Sequence, residues 1–337
     1  MSKLEQQILD LIQDTFPLVE RPYAAIAEIM KVSEQEAFEA IESLRKSGVI
    51  RRIGGVYDSK KLGFISRLCA GKVPASSLDF STEPHAQTAM EKFAAVVNEI
   101  PAITHNYIRS HEYNVWFTVI AENENEIQSI VDRLCDSTDL HDVHVMSATQ
   151  KFKINTVMVS EDRLETRACS SVIPAQAGIS RTDLSASDKS RIRTACGDIP
   201  HSLTPFKEWG VSCDELREDL TSKRMRRFGA ILRHQNAGFA FNAMVCFSVC
   251  SENVAEAGSL LASNLHISHC YERPSFNGFP YNVYAMMHAN SAEQLDQFIA
   301  NIVRSLNELQ STPIEYAVLN SVRELKKTSF KFFACFF

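Results

Sequence analysis

Residues 50–64 read IRRIGGVYDSKKLGF, and residues 225–239 read MRRFGAILRHQNAGF. Both stretches carry an Arg-Arg pair followed by an apolar residue and Gly, and both end in Gly-Phe at the same spacing. Two more blocks follow in the same order: ITHNYIR at 103–109 matches ISHCYER at 267–273, and YNVWFTVIA at 113–121 matches YNVYAMMHA at 281–289. Self-similarity of this kind marks a duplicated chain. The offset between the copies falls from 175 to 164 and returns to 168, so insertions sit between the blocks. The first copy has eleven extra residues around SSLDFSTEPHA and the second four around PSFNGFP, length changes that fit surface loops bordering a site.

In the first copy Leu4, Ile8, Leu11 and Ile12 have helical spacing, and a short helix is expected from Tyr23 to Met30. Ser33 to Glu36 form a capping box opening a third helix, with Ala37, Ile41 and Leu44 on its apolar face and Gly48 past its end. VIRRIGGVYD then alternates and is expected to turn at Gly54-Gly55 as a two-stranded wing. Residues 66–158 read strand, helix, strand, strand, helix, strand, the last strand being HDVHVMSATQKFKI; this βαββαβ order is ferredoxin-like.

The fold class expected is therefore α+β, a tandem duplication of a winged helix-turn-helix followed by a ferredoxin-like domain. The units run 1–65 and 66–158, then a polar linker at 159–184, then 185–239 and 240–329. The second helix-turn-helix is shortened by about a turn in two places, with seven positions from Pro205 to Ser212 against eleven from Pro22 to Ser33. Each sheet needs a cover for its apolar face, and pairing the copies sheet to sheet within the chain, as a pseudo-heterodimer, supplies one.

The 337 residues are 45% hydrophobic and 23% charged, ordinary globular material. Apolar runs such as FNAMVCFSVC at 241–250 are about half of the roughly 20 residues that span a bilayer. The start MSKLEQQILD lacks a signal peptide's cationic and apolar blocks, so a soluble cytoplasmic protein with no membrane partner is expected. Nine cysteines without a CxxC pair argue against a disulfide framework and a standard zinc site. Cys246 and Cys250 read as strand core positions. The net charge of −6 advertises no nucleic-acid partner.

A winged helix followed by a βαββαβ module resembles the Lrp/AsnC regulator architecture, and particular blocks narrow the resemblance. RRFGAILRHQNAGF, SHCYERPSFNGFPYNVYAMMHA and RELKKTSFKFF look like the B-type subunit of the siroheme decarboxylase family; RRIGGVYDSKKLGF and HNYIRSHEYNVWFTVIA look like the A-type subunit. The resemblance implies removal of carbon dioxide from the two pyrrole-ring acetates of siroheme, giving 12,18-didecarboxysiroheme in the biosynthesis of haem or a modified haem. It implies no added cofactor, since the iron arrives inside the substrate. The shortened second helix-turn-helix and the linker depart from the family pattern.

Siroheme carries eight carboxylates, and arginine holds planar anions bidentately. Arg51, Arg52, Arg226 and Arg227 at the wings are candidates, against the plainer reading of a solvated or phosphate-contacting wing. His105, Tyr107 and Arg109 stand at i, i+2 and i+4, as do His269, Tyr271 and Arg273, so each trio shares one strand face. Protonating the ring at or beside the acetate-bearing carbon supplies an electron sink, and the methylene left behind then needs a proton. His269 and His105 are expected to donate protons or face the iron, Tyr271 and Tyr107 to assist, and Arg273 and Arg109 to bind carboxylates. The plainer alternative is histidines that only hydrogen-bond at a sheet edge or interface.

His234 has no histidine counterpart in the first copy, where Asp58 and Ser59 stand, and His111 has none in the second. Both are candidate substrate contacts, with His234 or His269 a candidate ligand of the substrate iron. His141, His144, His266 and His288 carry no functional expectation. A transcriptional regulator is the rival from another class, but residues 1–48 hold five Lys and Arg against nine Asp and Glu. The would-be recognition helix carries Glu34, Glu36, Glu39 and Glu42, which would repel phosphates. A tetrapyrrole carrier without catalysis would use the same His and Arg residues.

Overall fold

The computed structural model describes residues 1–74, 88–154, 184–232, 241–328 and 330–333. In chain order the first copy forms α1 (Lys3–Asp14), α2 (Pro22–Met30), α3 (Glu34–Lys46), β1 (Ile50–Tyr57), β2 (Ile65–Gly71), α4 (Ala89–Glu99), β3 (Ile103–Arg109), β4 (Val115–Ala121), α5 (Glu124–Thr138), β5 (Val143–Met146) and β6 (Gln150–Ile154). The second forms α6 (Ala186–Ala195), α7 (Pro205–Trp209), α8 (Cys213–Thr221), β7 (Met225–Leu232), β8 (Phe241–Ser248), α9 (Val254–Ser263), β9 (Ile267–Glu272), β10 (Val283–Ala289), α10 (Ala292–Asn307) and β11 (Glu315–Lys327). The helix starts follow local chemistry. Ser2, Ser33, Thr88 and Ser185 close capping boxes, and Pro22 and Pro205 occupy first helical turns. SSLDFSTEPHA and most of the linker lie outside the described residues.

The expected hairpin wing is corrected by the structure. β1 runs straight through Gly54 and Gly55 and pairs antiparallel with β7 of the other copy, Gly54 opposite Gly229. These glycines make room rather than turns. A Cβ on Gly54 would stand 2.3 Å from the Gly197 carbonyl oxygen, just beyond α6, and one on Gly229 would stand 2.5 Å from that of Ile12, in α1. Each ribbon strand thus lies against the first helix of the opposite copy, with Phe16 N–H donating to the Phe228 carbonyl at 2.9 Å and Ile199 N–H to that of Ile53 at 2.9 Å. One apolar core, including Ile8, Phe16, Tyr23, Ile41, Ile192, Phe206 and Phe228, encloses both ribbon strands and helices from both copies. Asp219, fully buried, accepts from Tyr57 across the copies at 2.7 Å and pairs with Arg191 and Arg224. Strands that would be free wings are therefore spent holding the copies together.

The last strand of each ferredoxin-like unit also departs from expectation. HDVHVMSATQKFKI splits: β5 pairs with β2 of its own copy, whereas β6 pairs with β9 of the other. β11 matches this by pairing first with β8 and then with β3. Among the described residues the result is a nine-stranded sheet in the order β5-β2-β4-β3-β11-β8-β10-β9-β6. Its two end strands are separated by three residues of chain, so the sheet curls and its halves face each other.

One face of each half packs under helices, Phe93, Phe117 and Leu134 on one side and Phe247, Leu261 and Ile299 on the other. The opposite faces meet across the copies through Ala70, Trp116, Met146, Met244, Cys246, Phe279, Tyr284 and Leu319. The crossing strands are anchored in the partner core: Phe152 of β6 fills the space at Gly258 of α9, where a Cβ would stand 2.3 Å from its ring. Cys250 lies beyond the end of β8, half-buried, outside the expected strand core.

Candidate active site

Both His-Tyr-Arg strands begin at a β-bulge. Pairing of β3 with β4 steps from Ile103 opposite Val119 to His105 opposite Thr118, skipping Thr104. Pairing of β9 with β10 steps from Ile267 opposite Met287 to His269 opposite Met286, skipping Ser268. Beyond the bulge the register is regular, and Tyr107 faces Trp116 as Tyr271 faces Tyr284. Residues directly opposite share a face, so both trios look toward the other copy. A bulge re-aims the side chain beside it, here the histidine.

The arginines lie behind the tyrosines. The Arg109 guanidinium carbon is 5.2 Å from the Tyr107 ring centre and that of Arg273 5.0 Å from Tyr271. Arg109, only 5% exposed, donates from Nη1 to the Leu319 carbonyl at 3.0 Å and to Ser321 Oγ at 3.1 Å. Arg273 donates from Nη1 to the Met146 carbonyl at 3.1 Å. Burial pushes the Arg109 guanidinium down to about 10 and lowers that of Arg273. In each the buried Nε finds no hydrogen-bond partner among the described residues, which leaves an oriented donor beside each tyrosine.

The histidines differ more. His105 Nδ1 stands 2.9 Å from Thr104 Oγ1. His269 Nδ1 stands 2.9 Å from Ser268 Oγ, which is 2.6 Å from His288 Nε2, and His288 Nδ1 is hydrogen-bonded to Asn242 Oδ1. His288, given no role by the sequence reading, thus ends a chain that reaches His269.

The crossing strands complete each site with groups the sequence reading missed. Glu324 of β11 sits opposite Tyr107 and accepts a hydrogen bond from its hydroxyl; burial and this carboxylate raise the Tyr107 pKa. Lys151 of β6 sits opposite Tyr271. Burial, with Lys60, Arg226 and Arg273 adding to it against Asp58, pushes the Lys151 ammonium down to about 8.

The wing pairs divide. Arg51 acts on Tyr107 and Arg226 on Tyr271 and Lys151, so these two border the sites. Arg52 instead donates to the Gly197 carbonyl at 3.1 Å, and Arg227 to those of Gln13 and Ala230, so both hold helix ends in the ribbon region. His111 lies in the β3–β4 turn, its Nδ1 accepting from Tyr113 N–H at 3.1 Å and its ring edge-on to Phe279 at 5.2 Å. His234 lies outside the described residues. Among the described residues no cluster of three or more His, Cys, Asp or Glu is arranged to hold a metal, and no helix is long and apolar enough to cross a membrane.

A family model described as an AsnC-like ligand binding domain matches residues 61–153 and 236–326. One described as a siroheme decarboxylase NirDL-like HTH domain matches residues 5–51. The siroheme decarboxylase of Hydrogenobacter thermophilus is 31% identical over 337 residues, covering 97% of this chain and 94% of that relative. The siroheme decarboxylase alpha subunit of Desulfovibrio desulfuricans is 40% identical over 154 residues, covering 46% of this chain and 82% of the subunit. The crystal structure of the siroheme decarboxylase NirDL in co-complex with an iron-uroporphyrin III analogue matches with a TM-score of 0.66 at 28% identity, covering 98% of this chain and 95% of that one.

Proposed function

This chain belongs to the siroheme decarboxylase family, and from that premise we propose that it is a carboxy-lyase removing carbon dioxide from the two pyrrole-ring acetates of siroheme to give 12,18-didecarboxysiroheme. The observation that carries the reading is the pair of His-Tyr-Arg strands, each bulged at its histidine and each turned toward the opposite copy. The two halves act as a pseudo-heterodimer within one chain, the iron enters with the substrate, and the reaction belongs to the cytoplasm, where free thiols such as Cys69 and Cys246 stay reduced.

Each decarboxylation consumes one proton. A proton placed on the ring at or beside the acetate-bearing carbon draws electrons; the bond to the carboxylate carbon breaks and its electron pair flows into the ring. The exocyclic methylene then takes a proton to become methyl as the ring proton leaves. His269 is the donor, with His105 its counterpart in the first copy. Tyr271 orients the ring edge and Arg273, through Nε and its fixed charge, favours a carboxylate in front of that tyrosine, with Tyr107 and Arg109 their counterparts in the first copy. Arg226 meets the outer carboxylates, with Arg51 its counterpart in the first copy.

Anaerobic incubation with siroheme, followed by mass measurement of the tetrapyrrole, tests this. Loss of two carbon dioxide units is expected, and His269→Ala with folding intact should lower turnover at least about tenfold. Binding without a mass change would make the chain a carrier. Unchanged turnover in both His269→Ala and His105→Ala would overturn the histidine assignment.

A further inference from the structure

The crossing strands align at an offset of 173, which places Met146 with Leu319, Lys151 with Glu324, Phe152 with Leu325 and Lys153 with Lys326. Three of these four pairs do the same work in both copies. The Met146 and Leu319 carbonyls accept from Arg273 and Arg109. Phe152 and Leu325 pack into the cores beneath the helices. Lys153 donates to the Asn264 carbonyl at the end of α9 at 2.6 Å, and Lys326 to that of Ile100 at the end of α4 at 2.7 Å. The fourth position, the one opposite the tyrosine, changes sign.

We infer that Lys151 is a carboxylate-binding residue of the β9 site, that Glu324 keeps a polyanionic tetrapyrrole from the β3 site, and that the chain therefore binds one siroheme, on β9. This rests on the siroheme reading above. Lys151 is half-buried, shares a face with Tyr271 and has Arg273, Arg226 and Lys60 as neighbouring cations, with Asp58 as a neighbouring anion. Gathering cations in a partly desolvated place is unfavourable until an anion joins them, and a substrate with eight carboxylates supplies one. In the β3 site Glu324 instead accepts from the Tyr107 hydroxyl and puts a negative charge at the position where the β9 site has a positive one. The frame that aims the histidine is present twice; the charge that admits the substrate is present once.

Anaerobic absorbance titration of the full chain with siroheme tests this independently of turnover. One equivalent is expected, with affinity weakened at least about tenfold in Lys151→Glu, and a second, weaker equivalent gained in Glu324→Lys. Lys151→Met, which keeps the apolar stem, serves if Lys151→Glu does not fold, folding being checked by thermal melting. Two equivalents of equal affinity in the unaltered chain, or unchanged affinity in the folded Lys151 variants, would overturn the inference, and failure of Glu324→Lys to gain an equivalent would overturn the part given to Glu324. Siroheme bound once in a Lys151-dependent way, with no change of mass, would sink the decarboxylase reading and leave this one standing.

Discussion

The β3 and β9 sites share a scaffold and differ in what that scaffold presents. Bulge, histidine, tyrosine and carbonyl-anchored arginine recur in both. Against that common frame, β9 faces Lys151 where β3 faces Glu324, and behind His269 the hydrogen-bonded chain runs through Ser268 to His288 and Asn242. By strand register His288 corresponds to Ile120 and Asn242 to Ser66, and Ile120 has no side-chain group to pass a proton. The pattern teaches that the two copies keep the bulge, the His-Tyr-Arg trio and the carbonyl anchors in common, and differ at the residue opposite the tyrosine and in the groups behind the histidine.

The largest effect should separate the histidines. His269→Ala is expected to lower the single-turnover rate by about 10²–10⁴-fold, the usual cost of losing a positioned general acid, whereas His105→Ala should lower it less than about threefold. Time courses of tetrapyrrole mass under anaerobic conditions read this directly. Equal losses in the two variants would break the contrast and make both sites productive.

A smaller effect is expected behind His269. With the Asn242 carbonyl as acceptor, His288 holds its proton on Nδ1 and its Nε2 accepts from Ser268 O–H. Ser268 Oγ then accepts from His269 Nδ1, which fixes the ring's orientation, and the imidazolium form of His269 carries its second, transferable proton on Nε2. His288 is a positioning residue in this arrangement. His288→Ala should reduce kcat on the order of tenfold with KM nearly unchanged, and should shift the limb of the pH–rate profile that reports His269. A change confined to KM or to the melting temperature would mean that His288 only fills the sheet.

Much of this contrast was legible in the sequence, and what was not has a physical reason. Helix starts and the His-Tyr-Arg faces are local patterns: Ser33 with Glu36, or three side chains at alternate positions, state their geometry without regard to the rest of the chain. Strand partners are not local. Gly54-Gly55 suits a turn and also suits close backbone approach, and only the packing of α6 against β1 decides between them. The crossing of β6 and β11 hid Lys151 and Glu324, since neither belongs to a motif and each acts on a strand far away in sequence. A readable signal did exist in the Arg-Arg pairs. Adjacent residues of a regular strand point to opposite faces, which predicts that one arginine of each pair turns from the site, as Arg52 and Arg227 do; the pairing steps past Arg51 and Arg226, so only the contacts decide which.

The mildest expected effect uses pH to sharpen the charge contrast. Burial first, then the cations Lys60, Arg226 and Arg273, holds the Lys151 ammonium down to about 8, while Asp58 opposes them; Tyr271, the other titratable group facing it, is raised by burial and stays neutral in this range. The charged form that attracts carboxylates is therefore present below about pH 8 and is lost as pH rises through that value. Siroheme affinity should fall about fivefold between roughly pH 7 and 9, with a net proton taken up on binding above the midpoint. Lys151→Arg, whose guanidinium stays charged across this range, should flatten the profile. A fall of the same size in Lys151→Arg would assign the titration to another group and remove Lys151 from the difference between the two sites.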